Sequence, residues 1–439
     1  MWIGIDDTDS LRGGCTTYIA KTVIQRLHEE NYNIIGHPRL VRLNPNIPWK
    51  TRGNGAVSIQ VGIGNKKEIL IGRIDGSEVF AASKKLREHD KSEQKRIKKI
   101  IREVVETYAM AEDENTNPGV VISNKKPSFD CYKKTVRKIV SLDDVRQTLE
   151  SLRADYIGYK NCRGLIGATA AIAWKPIRDK TYELITYRKK KRWGTKRFVD
   201  DESVKKMDKK YKTTFDNYDY INRHNRLTPN SPCPVLYGIR GDNEKDLIEA
   251  ISVVKSEPVE SWIIFETNQA TDDHLQRKNI NNIQPYESVI VKGIVARNPH
   301  TRPGGHVIFT IKDNTGTIDC AAYEPTKQLR KTIRKLHVGD LVEVYGGVRK
   351  HPLTVNLEKI NVKNLVKIVE KIENPVCPHC GRHMKSRGKN QGYKCRKCGI
   401  TKTKPVVREK KRELHIGFYE VPVCARRHLS KPLKRINRP

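Results

Sequence analysis

Three carboxylates fall within four residues at Asp6-Asp7-Thr8-Asp9. Packed so closely they repel one another unless a cation sits among them. At the end of a strand that cation would be Mg²⁺ carrying nucleotide phosphates. A few residues on, Gly13 and Gly14 let the backbone approach a phosphate, and the amides of Cys15, Thr16 and Thr17 would point at it from a helix N-terminus. Metal, amides and the Thr16 hydroxyl then converge on one spot. The same residues also fit an ordinary acidic turn with Thr16 as a helix N-cap.

Two further segments can complete such a site. Trp49-Lys50-Thr51-Arg52-Gly53-Asn54-Gly55 sets two cations beside glycines, which suits phosphate neutralisation and equally suits a plain basic turn. Arg163-Gly164-Leu165-Ile166-Gly167 runs into an apolar stretch, again a geometry that can cradle a phosphate or a base. There is no Walker lysine motif, kinase signature or nucleophile elbow. His28, His37 and His224 have no partner spacing and read as structural. Near the C-terminus, Cys377-Pro-His-Cys380 and Cys395-Arg-Lys-Cys398 supply two pairs of thiolates, the ligand set of one tetrahedral structural Zn²⁺. A ribbon this small has little core, so metal binding would supply its folding free energy.

The elements that must hold these residues can be read from periodicity. Trp2-Ile3-Gly4-Ile5 is a short apolar strand ending in the acidic cluster. The helix from about Thr16 to Glu30 carries the stripe Ile19, Ala20, Val23, Ile24 and Leu27. A strand follows at Ala56 to Gly62, then a long basic helix from Lys84 to Ala111, with residues 1–134 taken as one α/β domain. A second unit, 135–256, alternates helix (Leu142–Leu152), strand (Tyr156–Tyr159), the Ala168–Trp174 apolar run, strand (Tyr182–Tyr187) and helix (Asp246–Lys255). That alternation suggests a ferredoxin-like α+β layer. Within it, Arg188-Lys189-Lys190-Lys191-Arg192 with Trp193 reads either as a solvated loop or as an RNA-facing one.

After a linker at 257–286 the pattern turns all-β. Five strands between 287 and 365, with a basic helix (Gln328–Leu336) after the third, follow the order of an OB-fold, whose open face takes single-stranded nucleic acid. The zinc ribbon spans 374–401. The last 39 residues carry twelve Lys or Arg against three Glu, and the 402–439 segment is expected to lie along RNA phosphates.

The bulk properties agree with a nucleic-acid partner. Of 439 residues, 85 are Lys or Arg and 50 Asp or Glu, a formal charge of +35 that a small neutral substrate does not call for. No window approaches the ~18 uninterrupted apolar residues of a membrane helix, and the N-terminus is acidic, unlike a signal peptide. The ten cysteines follow metal-site usage rather than a disulfide framework, which points to the cytosol.

The segments GIDDTDS (Gly4–Ser10), GGCTTY (Gly13–Tyr18), NPNIPWKTRGNGAV (Asn44–Val57), NCRGLIGA (Asn161–Ala168), TFDNYDY (Thr214–Tyr220) and SPCPVLYGIRG (Ser231–Gly241) resemble the archaeal tRNA(Ile) 2-agmatinylcytidine synthetases. The resemblance spans nearly the whole chain, OB-fold and zinc ribbon included. It implies that residues 1–134 form an ATP-binding, kinase-like α/β domain of an ATP-dependent ligase that joins agmatine to C2 of the wobble cytidine in the CAU-anticodon minor isoleucine tRNA. The C2 oxygen is first phosphorylated and agmatine then displaces the phosphate. The family's acidic residues map onto Asp6, Asp7 and Asp9, with Mg²⁺ between them and ATP. Its phosphorylatable threonine maps onto Thr16. Gly13, Gly14, Thr17, Lys50, Arg52, Arg163, Gly164 and Gly167 are then the candidate ATP-binding residues.

The chemistry is consistent with that assignment. A urea-like carbonyl is a poor electrophile, and a phosphate ester on its oxygen is a leaving group. Forming that ester requires charge neutralisation at the transferring phosphoryl group. Agmatine is a dication, and the sequence leaves its pocket open, with Asp216 and Asp219 beside Tyr218 and Tyr220 as candidates. No protein partner and no membrane association are expected. The competing readings are a non-catalytic OB-fold and zinc-ribbon RNA-binding protein, and a small-molecule phosphotransferase carrying basic appendages.

Overall fold

The Trp2–Asp6 strand is buried along four of its five residues because helices cover both of its faces. Ile3 and Ile5 pack with Ile19, Val23 and Ile24 of the Thr16–Glu29 helix. Trp2 shares a cluster on the other face with Leu165, Ala168 and Ile172 of the Gly164–Ala173 helix. A Cβ at Gly4 would lie 2.3 Å from the Ala168 carbonyl oxygen, so glycine sets how closely that helix approaches. Fully burying an Ile or Leu side chain contributes roughly 1.5–3 kcal/mol, and this sandwich fixes where the strand delivers Asp6. We describe a computed structural model of residues 1–436 apart from 65, 85, 88 and 178.

The strand sits inside a 12-stranded sheet, antiparallel to Gly55–Ile63 on one side and to Gly119–Ser123 on the other. Beyond Gly55–Ile63 the sheet continues through Tyr32–Ile35, the hairpin Ser77–Ala82 and Ile69–Ile74, then Val259–Thr267, Thr181–Arg188 and Val235–Gly241. Arg39–Arg42 pairs with Gly55–Ile63 and also, in parallel, with Val259–Thr267, so the pairing closes on itself through six strands. This closure is what brings the first and second units face to face.

Several elements differ from the sequence reading. The Leu142–Ser151 helix and the Asp155–Gly158 strand, placed in the second unit by sequence, belong to the first. The strand pairs with Gly119–Ser123, and Val145 and Leu149 cover Trp2 and Val121. Residues 257–286, expected as a linker, contain the Val259–Thr267 strand of the large sheet and Leu275–Arg277 of the barrel sheet. The basic helix expected over 84–111 runs Lys91–Tyr108, started by a capping box in which Asp90 accepts from Ser92 and Glu93 amides; residues 85 and 88 of that span lie outside the described residues. The second unit has its own core, where Val204 and Met207 of the Asp201–Lys210 helix and Leu247 and Ala250 of the Glu244–Val253 helix pack on Leu184, Leu236, Tyr237 and Ile264.

Arg188, the first residue of the run read as a basic loop, is fully buried. It makes a two-pronged pair with Glu257 at 2.8 and 2.9 Å. Trp193 packs edge-on against Tyr18, ring centroids 5.0 Å apart. Only Lys189–Arg192 of that run is exposed.

The OB barrel forms as expected. Ser288–Thr301, Val307–Lys312, Thr317–Ala322, Thr354–Asn364 and Leu341–Arg349 pair in that order, and the first and last close the ring. The Gln328–Ile333 helix follows the third strand. An exposed two-stranded ribbon, Ile368–Glu373 with Val406–Lys410, leads to the zinc ribbon.

The basic C-terminal segment is not a free tail. Gly417–Glu420 adds to the barrel strand Thr354–Asn364, and the chain then crosses back onto the large sheet. Arg435 pairs with Asp179 at 2.8 Å and Asp242 at 2.6 Å, Lys431 with Asp179 at 2.8 Å, and Arg426 with Asp216. These cations are matched to acids of the protein itself. The segment is a strap tying the barrel to the body built on the large sheet. Among the described residues, no helix is long and apolar enough to cross a membrane.

Candidate functional site

The end of the Trp2–Asp6 strand, the start of the Thr16–Glu29 helix, the 49–55 loop and the start of the Gly164–Ala173 helix open onto one cavity of about 410 Å³. Asp6, Asp7, Asp9, Thr16, Thr17, Lys50, Arg52, Arg163 and Gly167 all line it, although they come from four separate stretches of chain. The structure does not bring Gly13, Gly14 or Gly164 to its surface. Gly14 takes φ +73°, and a Cβ there would lie 2.7 Å from Met110 Cγ, so it turns the loop. Gly164 packs on Gly119, where an added Cβ would lie 2.4 Å from the Gly119 amide nitrogen, so it lets helix and strand meet closely.

The three carboxylates have distinct surroundings. Asp9 accepts from Arg52 Nε at 2.7 Å and from Thr51 Oγ1 at 3.1 Å, and Thr116 Oγ1 donates to its carbonyl at 2.8 Å. Asp7, at φ 54°, accepts from Arg163 Nη2 at 3.3 Å. Burial pushes the Asp7 carboxyl up, and Arg163 opposes the shift. Asp6 is pushed well above the usual carboxylate range by burial first and then by the charge of Asp7. A divalent cation would relieve the repulsion between Asp6 and Asp7, although the carboxylates of Asp6, Asp7 and Asp9 do not converge on one point in the way the four cysteines do.

Beside them, the Thr16–Glu29 helix begins with Cys15 as N-cap, not Thr16. Cys15 makes no side-chain cap bond and the first turn carries no acid. That helix end is electrostatically open to an anion. Thr16 Oγ1 accepts from Thr8 Oγ1 at 3.1 Å within the cavity wall, and Cys15 Sγ lies 3.1 Å from Thr17 Oγ1. Burial raises the Cys15 thiol to about 11, so it stays protonated.

The far wall escaped the sequence reading of single residues. It is built by Arg42, Glu183, Arg226, Arg240, the Thr228–Val235 loop and His428 of the strap. Ser231, Gly238 and Arg240 lay within SPCPVLYGIRG, a segment that carried the resemblance; nothing in the sequence pointed to Glu183 or His428. The loop is held by one side chain, since Arg197 donates to the carbonyls of Val235 (2.8 Å), Pro229 (3.0 Å), Ser231 (2.8 Å) and Cys233 (3.0 Å). Ser231 in turn accepts from Arg52 Nη1 at 2.7 Å, joining the loop to the Asp9 wall.

Asp216 and Asp219 do not line this cavity. Asp216 pairs with Arg426, and Asp219 accepts from the Asn222 and Cys424 amides at 2.9 and 3.0 Å. Both anchor the strap. His37 pairs with Glu244 at 3.2 Å, a structural contact.

At the other end of the molecule, the ligand atoms of Cys377, Cys380, Cys395 and Cys398 lie within 4.8 Å of one another, which fits one tetrahedral zinc.

The chain matches four families in sequence order: the TiaS TCKD domain over residues 2–161, the TiaS FLD domain over 162–274, an OB-fold nucleic acid binding domain over 289–363, and the TiaS C-terminal zinc ribbon domain over 374–414. The isoleucine-tRNA 2-agmatinylcytidine synthetases TiaS of Methanocaldococcus jannaschii and Archaeoglobus fulgidus are each 44% identical to it. The alignments cover 100% of this chain and 99% and 98% of theirs. The crystal structure of a TiaS complex with its isoleucine tRNA and ATP superposes with a TM-score of 0.85 at 41% identity, covering 100% of this chain and 97% of that one. A TiaS complex with the same tRNA, AMPCPP and agmatine gives 0.82 at 39% identity, with the same coverage. The chain belongs to the family of isoleucine-tRNA 2-agmatinylcytidine synthetases, TiaS.

Proposed function

We propose that the protein is the ATP-dependent ligase that joins agmatine to C2 of the wobble cytidine in the CAU-anticodon isoleucine tRNA. The observation that carries this reading is the gathering of Asp6, Asp7, Asp9, Cys15–Thr17, Lys50–Arg52, Arg163 and Gly167 around one cavity in a chain of this family. Relatives solved with isoleucine tRNA and ATP, and with isoleucine tRNA, AMPCPP and agmatine, support the substrate set.

In this reading Asp6, Asp7 and Asp9 would hold Mg²⁺, and the chemistry it would supply is neutralisation of charge on the phosphates of ATP. Arg52 and Arg163 hold Asp9 and Asp7 in place. The open end of the Thr16–Glu29 helix faces the phosphates, and Thr16, poised in the wall, is the hydroxyl that can accept a phosphoryl group. Phosphorylating the cytidine C2 oxygen turns it into a leaving group. The neutral amine of agmatine then attacks C2 and the C2–O bond breaks, releasing phosphate. Zn²⁺ on the four cysteines is structural, since four thiolates leave no open position. The reading places the reaction in the cytoplasm with its tRNA.

The test is Asp7→Asn assayed for both ATP turnover and tRNA binding. Loss of turnover with binding retained is the expected result. Turnover at the wild-type rate would remove the carboxylate cluster from the chemistry, and absence of turnover in the wild type as well would leave an RNA-binding protein.

A further inference from the structure

The two walls of the cavity differ in charge balance. On the carboxylate wall, Arg52 answers Asp9 and Arg163 answers Asp7. On the far wall, Arg42 and Arg240 share a single acid, Glu183. Glu183 accepts from Arg42 Nη2 at 3.3 Å and from Arg240 Nε at 3.1 Å, and Gln269 Nε2 takes up more of its capacity at 2.6 Å. Arg42 Nε is buried with no acceptor. Among the described residues Arg226 has no carboxylate within ion-pair distance; the acids that act on it from farther off, Asp216 and Asp219, are engaged by Arg426 and by the Asn222 and Cys424 amides.

These cations converge. His428 lines the cavity with Arg42, Arg226, Arg240 and Lys50, and Arg42 first, then burial, Arg240, Arg226 and Lys50 hold it well below the usual imidazole range. At Gly53 an added Cβ would meet both Arg42 Nη1 and His428 Nε2 at 3.3 Å, so the absence of a side chain keeps that side of the cluster clear. Guanidiniums drawn out of water without counter-charge are costly, and an anion offering several acceptor oxygens offsets that cost through forked hydrogen bonds.

We propose that Arg42, Arg226 and Arg240 form a phosphate subsite that holds a backbone phosphodiester of the RNA beside the nucleotide being modified. The inference rests on the reading above that the substrate is RNA. The same chemistry would suit a phosphate of ATP, but placement favours RNA. The nucleotide end of the cavity is the carboxylate wall with its helix terminus. Of the cationic wall, Arg226 and Arg240 belong to the second unit and His428 to the strap that runs on from the OB barrel, while Arg42 reaches it from the Arg39–Arg42 strand. Agmatine, a dication, is repelled from this wall.

Arg226→Gln is the informative variant. Replacing Arg42 or Arg240 would strip Glu183 of a partner, whereas Arg226 supports no carboxylate. Affinity for the isoleucine tRNA and for ATP is measured separately on the whole protein across a salt series, without turnover. Arg226→Gln is expected to weaken tRNA binding several-fold and to flatten the slope of log K against log salt by about one, the signature of one lost phosphate contact. ATP affinity stays at the wild-type value, and Arg226→Lys recovers part of the loss.

Weakened ATP binding with tRNA binding intact would give the subsite to the nucleotide and overturn the proposal. So would a variant that changes neither. Because binding is read without agmatine transfer, a wild-type protein that binds tRNA yet transfers nothing would fail the ligase reading alone.

Discussion

A Cβ on Gly167 would lie 1.8 Å from Oδ2 of Asp6. The Gly164–Ala173 helix therefore goes without a side chain at the one position where the Asp6 carboxylate must lie against it. This places the glycine motif of residues 163–167 in the site by a different route from the one its pattern suggests. Gly167 makes room for a carboxylate, and Gly164 lets the helix meet the Gly119–Ser123 strand.

Gly167→Ala follows directly. In an ordinary helix that change stabilises by roughly 0.5–1 kcal/mol. Here the methyl group displaces Asp6, so activity should fall on the order of a hundredfold, as ångström-scale misplacement does. Thermal unfolding and ATP turnover measured together check it. A more stable, fully active variant would refute the packing argument.

Arg197 should behave as a positioning residue. Its guanidinium fastens four carbonyls of the Pro229–Val235 segment, which a lysine ammonium cannot span. Arg197→Lys leaves at least one carbonyl unpaired, at a cost of about 1–3 kcal/mol. Loosening Ser231 should also lower kcat/KM. Steady-state kinetics beside a denaturant titration separate the two effects, and wild-type kcat/KM with lowered stability would mean the loop does not shape the site.

Removing zinc should unfold the ribbon without unfolding the body. The small core of Met384 and Tyr393 with the cysteines shares no residue with the clusters of the large sheet or the barrel. Structural zinc contributes about 10–16 kcal/mol in comparable peptides. Cys395→Ser should lose amide protection around Tyr393 and weaken tRNA binding while ATP binding persists. Collapse of the whole protein would contradict this independence.

Acid should loosen the strap. In the fold the cations around His428, Arg42 foremost, hold its imidazole well below the ordinary value of 6.5. The unfolded chain therefore takes up the proton first. The stability linked to this residue is complete above 6.5 and is lost as the pH falls toward the lower folded value. Wild-type unfolding temperature should drop between about pH 7.5 and about pH 5.5 by more than that of His428→Gln. Equal drops would show that the ring does not titrate with folding.

Local signals carried much of the architecture. The acidic strand end, the Ile19–Leu27 stripe, the five barrel strands and the paired cysteines were all legible, because each is set by spacing within one element. The Ile69–Ala82 hairpin was also legible, from Asp75-Gly76 between apolar residues, and was missed. The far wall was not legible in the same way. Arg42, Glu183, Arg226 and His428 meet only because the large sheet closes through Arg39–Arg42 and the strap returns from the barrel. Charge composition alone misled at the C-terminus, where Lys431 and Arg435 answer acids scattered from Asp179 to Asp242 rather than an RNA backbone.

The central claim is best tested by supplying labelled agmatine, ATP and Mg²⁺ with a CAU-anticodon isoleucine tRNA transcript, and with the elongator methionine tRNA of the same anticodon as control. The account predicts ATP-dependent label in the isoleucine tRNA alone, which would also show that recognition reaches beyond the anticodon. Tight tRNA binding with no label in either transcript and no ATP turnover would contradict it.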